Sequence, residues 1–80
     1  MDKYEAMAVE ILEKAADTEG LAEEMDLDLF EAGLLDSLAV ISIIIMIEEK
    51  IGKLLVPTDF VQSDIATVNG FAEFLKKKDA

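Results

Sequence analysis

The chain has 80 residues, 52% of them hydrophobic, with 18 acidic against 7 basic side chains and a net charge of −11. This size suits one domain, expected over residues 1–80, and the hydrophobic share argues for a folded protein rather than a disordered acidic tail. Cysteine and histidine are both absent, which removes disulfides, thiolate metal sites, Ser-His-Asp chemistry and imidazole bases. The acidity disfavours nucleic acid and anionic membranes, which need clustered lysine and arginine, and favours basic protein partners.

The first helix is expected over residues 3–16. Tyr4, Met7, Ala8, Ile11, Leu12 and Ala15 recur at helical spacing and share one face. Asp2 is placed to cap it, with Glu5 three residues on in the pattern of a capping box. The opening Met1-Asp2-Lys3-Tyr4-Glu5 is charged and does not read as a signal peptide.

A long acidic connection follows, from about Asp17 to Asp36, with a helical turn expected near Leu21 to Met25. Glu23, Glu24, Asp26, Asp28 and Glu31 face solvent, whereas Leu27, Leu29 and Phe30 are expected to pin the connection to the bundle. Asp26-x-Asp28 lacks the glycine and distal glutamate of a calcium loop, so no metal site is expected. Gly33 sits three residues before Asp36-Ser37, where glycine permits a positive φ or a close backbone approach.

The second helix is expected from about Ser37 to Lys50, and in the ten residues Leu38 to Ile47 only Ser42 is polar. That run is about half the ~20 residues a membrane span requires, so no insertion is expected and a cytoplasmic location is the default. Val40, Ile43, Ile44, Ile47 and Ile51 form the expected core stripe, and Leu38, Ile41 and Ile45 a second stripe expected to be partly exposed. Glu48 and Glu49 extend that second side to the carboxyl end, where the macrodipole disfavours anions by about 0.3–1 kcal/mol each. Acids kept there are candidates for partner contact.

Gly52 is expected to close this helix, and Pro57 precedes a short third helix capped by Thr58 or Asp59 and running through Gln62, with Phe60 and Val61 turned inward. Ser63-Asp64 reads as a turn, Ile65 as core, and Thr67 as the cap of a last helix with Val68, Phe71, Ala72 and Leu75 on one face and Phe74 adding apolar bulk beside them. The fold class is therefore all-α: a small four-helix bundle with a long loop between helices 1 and 2 and a short third helix.

Asp36-Ser37 reads first as a helix start. Ser37 has no base to activate it and fails as a catalytic nucleophile. It remains a possible site of modification, because a phosphoryl group there would sit at a helix amino end, where backbone N–H groups favour an anion.

Gly33-Leu34-Leu35-Asp36-Ser37-Leu38, in this acidic helical context and with the later Ile65-Ala66-Thr67-Val68, resembles the acyl carrier protein family over nearly the whole chain. The resemblance implies covalent 4′-phosphopantetheine on Ser37, installed from coenzyme A by a magnesium-dependent phosphopantetheinyl transferase, with cargo held as thioesters. It implies that Asp36 assists the transferase. It also implies that Leu38, Ile41 and Ile45 touch partner enzymes while Glu48 and Glu49 meet basic patches. Acyl- or aminoacyl-adenylating ligases and acyl-transfer enzymes would be the partners of a non-catalytic, monomeric carrier.

Carriers of fatty acid biosynthesis usually show acids where this chain has Ala39 and Ser42. Residues 28–37 are closer to the D-alanyl carriers of teichoic acid modification and to discrete peptidyl carriers, which leaves the cargo open. The reading from another class is an acidic helical adaptor without cofactor.

Overall fold

The computed structural model describes residues 1–79, which form helices α1 (Lys3–Ala16), α2 (Ser37–Ile51), α3 (Gln62–Ile65) and α4 (Val68–Asp79) with single 3₁₀ turns at Leu21–Glu23 and Pro57–Asp59. Helix α1 begins at its cap: Asp2 accepts a hydrogen bond from the Glu5 N–H at 2.8 Å, and Glu5 accepts one from the Asp2 N–H at 3.0 Å. The reciprocal pair satisfies two donors that the helix cannot. Ala8, Ile11 and Leu12 are fully buried, and Tyr4, Met7 and Ala15 pack against them as the spacing predicts.

Helix α1 lies closest to α4 and α2. It runs antiparallel to α4, since the Tyr4 hydroxyl donates to Asp79 at 2.8 Å across the end of the bundle. Lys50 reaches back from α2 to Glu10 at 2.6 Å, which holds that carboxyl below its ordinary range through the hydrogen bond and then the charge. Lys53 donates to the Lys78 carbonyl, so α2 and α4 finish at the same end.

The buried line of α2 is Ala39, Ile43 and Ile47, at spacing i, i+4, i+8, with Val40, Met46 and Ile51 packed beside it. This corrects one expectation. Ile44 is half-buried and stands outside the core cluster, because the buried line is centred on Ile43 and the next residue lies about 100° round the helix.

The region after Pro57 also differs from expectation. No single helix runs from Thr58 to Gln62; instead the 3₁₀ turn ends at Asp59, Phe60 and Val61 are extended, and α3 starts at Gln62. Asp59 accepts from the Val56 N–H and Asp64 from the Val61 N–H, at 2.8 and 2.9 Å. Each aspartate thus closes its own turn, in competition with a continuous helix. Ser63-Asp64 accordingly lies inside α3 rather than in a turn. Extension sends neighbouring side chains to opposite sides, so Phe60 packs inward while Val61 is 63% exposed.

Helix α4 is capped by Thr67, whose hydroxyl accepts from the Gly70 N–H at 3.0 Å. A Cβ on Gly70 would stand 3.3 Å from the Ser63 carbonyl oxygen. Glycine therefore lets α3 approach α4, which accounts for a residue that costs a helix about 1 kcal/mol. Val68, Phe71, Phe74 and Leu75 close the core, and among the described residues no polar side chain is fully buried.

Candidate functional site

The long connection is folded around its own acids. Asp28 accepts hydrogen bonds from the N–H groups of Phe30 and Glu31, both at 3.0 Å, and its carbonyl accepts from Ala32 at 3.0 Å. Gly33, at φ +77°, then reverses the chain. The N–H groups of Leu34 and Leu35 return to the Leu29 carbonyl at 2.9 and 3.2 Å. Leu29 is fully buried and Leu35 nearly so, as core anchors of the loop. Three acidic residues along this stretch, Asp28, Glu31 and Asp36, thus surround a reversal with an apolar inside.

Asp36 follows in extended conformation, and its carboxylate accepts from the Ala39 N–H at 2.9 Å. Ser37 is the first residue of α2 and is exposed. The N–H groups of Ser37 and Leu38 belong to the first turn, which α2 does not use internally. The hydroxyl therefore stands beside unused donors at the positive end of a 15-residue helix.

Along one side of α2 run Leu38, Ile41 and Ile45, exposed by 72%, 56% and 54%, followed by the exposed Glu48 and Glu49. The structure thus leaves Leu38, Ile41, Ile45, Glu48 and Glu49 exposed on the helix that Ser37 begins, with Asp36 as its cap. Residues that the sequence reading left out border the other side. Phe30, Val40, Phe60, Gln62 and Ile65 join Asp36 and Ser37 around a cleft of about 360 Å³ between α2 and α3. No local sequence pattern marks this cleft, because its lining comes from the connection, α2, the extended Phe60 and α3.

The donor set and the cleft suit a phosphodiester-linked arm: an exposed hydroxyl, a helix amino end, and a largely apolar trough with Gln62 at its rim. When bound, 4′-phosphopantetheine supplies a terminal thiol that this cysteine-free chain lacks. Among the described residues there is no acidic, histidine or cysteine cluster able to hold a metal ion, and no helix is long and apolar enough to cross a membrane.

An exposed serine at a helix amino end beside an apolar cleft is an arrangement that suits covalent modification. Comparison with known proteins agrees: residues 9–75 match the model of the phosphopantetheine attachment site family. The chain is also 32% identical over 69 residues to the D-alanyl carrier proteins of Bacillus cereus strain B4264 and Bacillus anthracis strain CDC 684, covering 86% of this chain and 87% of each relative. It belongs to the phosphopantetheine-binding carrier family, whose domain is the site of covalent 4′-phosphopantetheine attachment.

Proposed function

We propose that Ser37 carries the cofactor and that the chain ferries acyl or aminoacyl groups as thioesters between separate enzymes. The carrying observation is the exposed Ser37 hydroxyl at the head of α2, beside the cleft that Phe30, Phe60 and Ile65 line. In loading by a phosphopantetheinyl transferase, the Ser37 oxygen bonds to the pantetheine phosphorus of coenzyme A. The pyrophosphate bond breaks, adenosine 3′,5′-bisphosphate leaves, and the hydroxyl proton passes to the transferase. Asp36 holds the first turn of α2 in place during that step.

D-alanine is the cargo favoured by the relatives, which are D-alanyl carrier proteins. A longer acyl chain is the second reading, favoured by the apolar lining of the cleft. Under either, Leu38, Ile41 and Ile45 dock adenylating ligases and acyl-transfer enzymes, with Glu48 and Glu49 meeting their basic rims. A monomeric, cytoplasmic carrier fits a chain that meets these enzymes in turn.

Mass spectrometry after incubation with coenzyme A and a broad-specificity transferase tests the site. The wild type should gain one pantetheinyl group and Ser37→Ala none; equal gain by both overturns the assignment. Ligases offering D-alanine or fatty acids to the loaded protein then separate the cargoes.

A further inference from the structure

We propose that Asn69, at the start of α4, is a positioning residue for the loading of Ser37, acting through a clasp on the connection that leads to it. This rests on the reading of Ser37 as the attachment serine. On the α3 side the amino end of α2 faces the cleft. Its placement there depends on the residues that enter it.

Those residues form a continuous line of hydrogen bonds. Leu34 and Leu35 hang on the Leu29 carbonyl, and the Leu29 N–H is held by the Ala66 carbonyl at 2.7 Å. Four residues upstream, the Met25 carbonyl accepts from the Asn69 N–H at 3.0 Å. The Asn69 side-chain amide donates to the Asp26 carboxylate at 2.6 Å. Among the described residues, every hydrogen bond between Met25–Leu35 and another element ends on the α3–α4 corner, at Ala66 or Asn69.

Only the Asp26–Asn69 bond is made by side chains, so only it can be rewritten without disturbing the backbone. An isolated exposed polar pair contributes little. Here one residue grips two successive loop positions, once through a helix-start donor that α4 leaves unused and once through a charge-assisted bond. Transfer requires the Ser37 oxygen in line with a phosphorus held by a docked enzyme, and a displacement of about 1 Å can cost such a step as much as 10²-fold. The clasp touches none of the α2 face that would dock the enzyme.

The test is steady-state loading of the apo protein with coenzyme A and a phosphopantetheinyl transferase, varying the carrier concentration. Asn69→Asp sets two carboxylates against each other and should lower kcat about threefold to tenfold, with KM for the carrier and the far-UV circular dichroism unchanged. The exchange Asp26→Asn with Asn69→Asp restores an amide-carboxylate pair and should return kcat to within about twofold of wild type. Asn69→Ser, which keeps the backbone donor, serves as the single variant should Asn69→Asp fail to fold.

Wild-type kcat in the single variant, a loss confined to KM, or an exchange variant as slow as the single one overturns the clasp. Failure of the wild type to load at all overturns the attachment reading instead.

Discussion

Helices α2 and α4 have similar lengths and opposite surfaces. Helix α4 buries Val68, Phe71, Phe74 and Leu75 and shows solvent Asn69, Glu73, Lys76 and Lys77. Helix α2 buries only Ala39, Ile43 and Ile47, while Leu38, Ile41 and Ile45 remain exposed. A small core closed by α4 does not require the second stripe of α2. This unspent apolar surface is what supports the proposed docking face, because isolated exposed residues are ordinary but an aligned row is not.

The two faces of α2 should separate on substitution. Ile43→Glu places an unpaired charge in a fully buried position and should abolish the cooperative thermal transition. Ile47→Ala should lower the unfolding free energy by about 2–5 kcal/mol in urea titrations. Ile45→Glu should leave the melting temperature within a few degrees and depress turnover by partner enzymes. A melt as damaged by Ile45→Glu as by Ile43→Glu would dissolve the distinction.

Charge sets smaller effects. With a net charge of −11, self-repulsion should make moderate salt or magnesium raise the melting temperature; an unchanged or lowered value would contradict this. Two contacts made by α1 bound the pH range. The Glu10 pKa is lowered by the Lys50 hydrogen bond and charge, so its stabilisation is present above the ordinary glutamate pKa and fades as pH falls through the lowered value. The Tyr4 pKa is raised, first by its hydrogen bond to Asp79. That stabilisation is present below the ordinary tyrosine pKa and is lost as pH rises through the raised value. Lys50→Met should weaken the first dependence, leaving the smaller part due to Lys14, and Tyr4→Phe should erase the second, read as melting temperature against pH.

What was legible follows from the range of the forces involved. The bounds of α1 and the start of α2 are written in neighbouring residues, Asp2 with Glu5 and Asp36 with Ala39, and both were readable. The inward face of α2 was only partly so. When nearly every position is apolar, periodicity does not say whether Ile43 or Ile44 is central, and small Ala39 hides among larger neighbours. The third helix was misplaced because Asp59 and Asp64 close separate turns instead of capping one helix. The family was plain in the sequence, through Gly33-Leu34-Leu35-Asp36-Ser37-Leu38 and its acidic helical setting. The cleft and the Asp26–Asn69 bond join residues far apart in the chain and carry no local pattern.

The absence of cysteine and histidine bears on the safety of any thioester the chain would carry. A thioester is open to capture by thiols, imidazoles and amines, and this protein has neither of the first two. Its amines are sorted as well: no lysine occurs between Lys14 and Lys50. Lys3 reaches Asp79 and Lys53 reaches the Lys78 carbonyl, so both gather with Lys76, Lys77 and Lys78 at the end of the bundle away from Ser37. The length of α2, about 22 Å at 1.5 Å per residue, separates that end from the serine. In a carrier loaded at Ser37, as proposed, those lysines would lie a helix length from the attachment point, and the chain would offer no thiol or imidazole to capture the thioester.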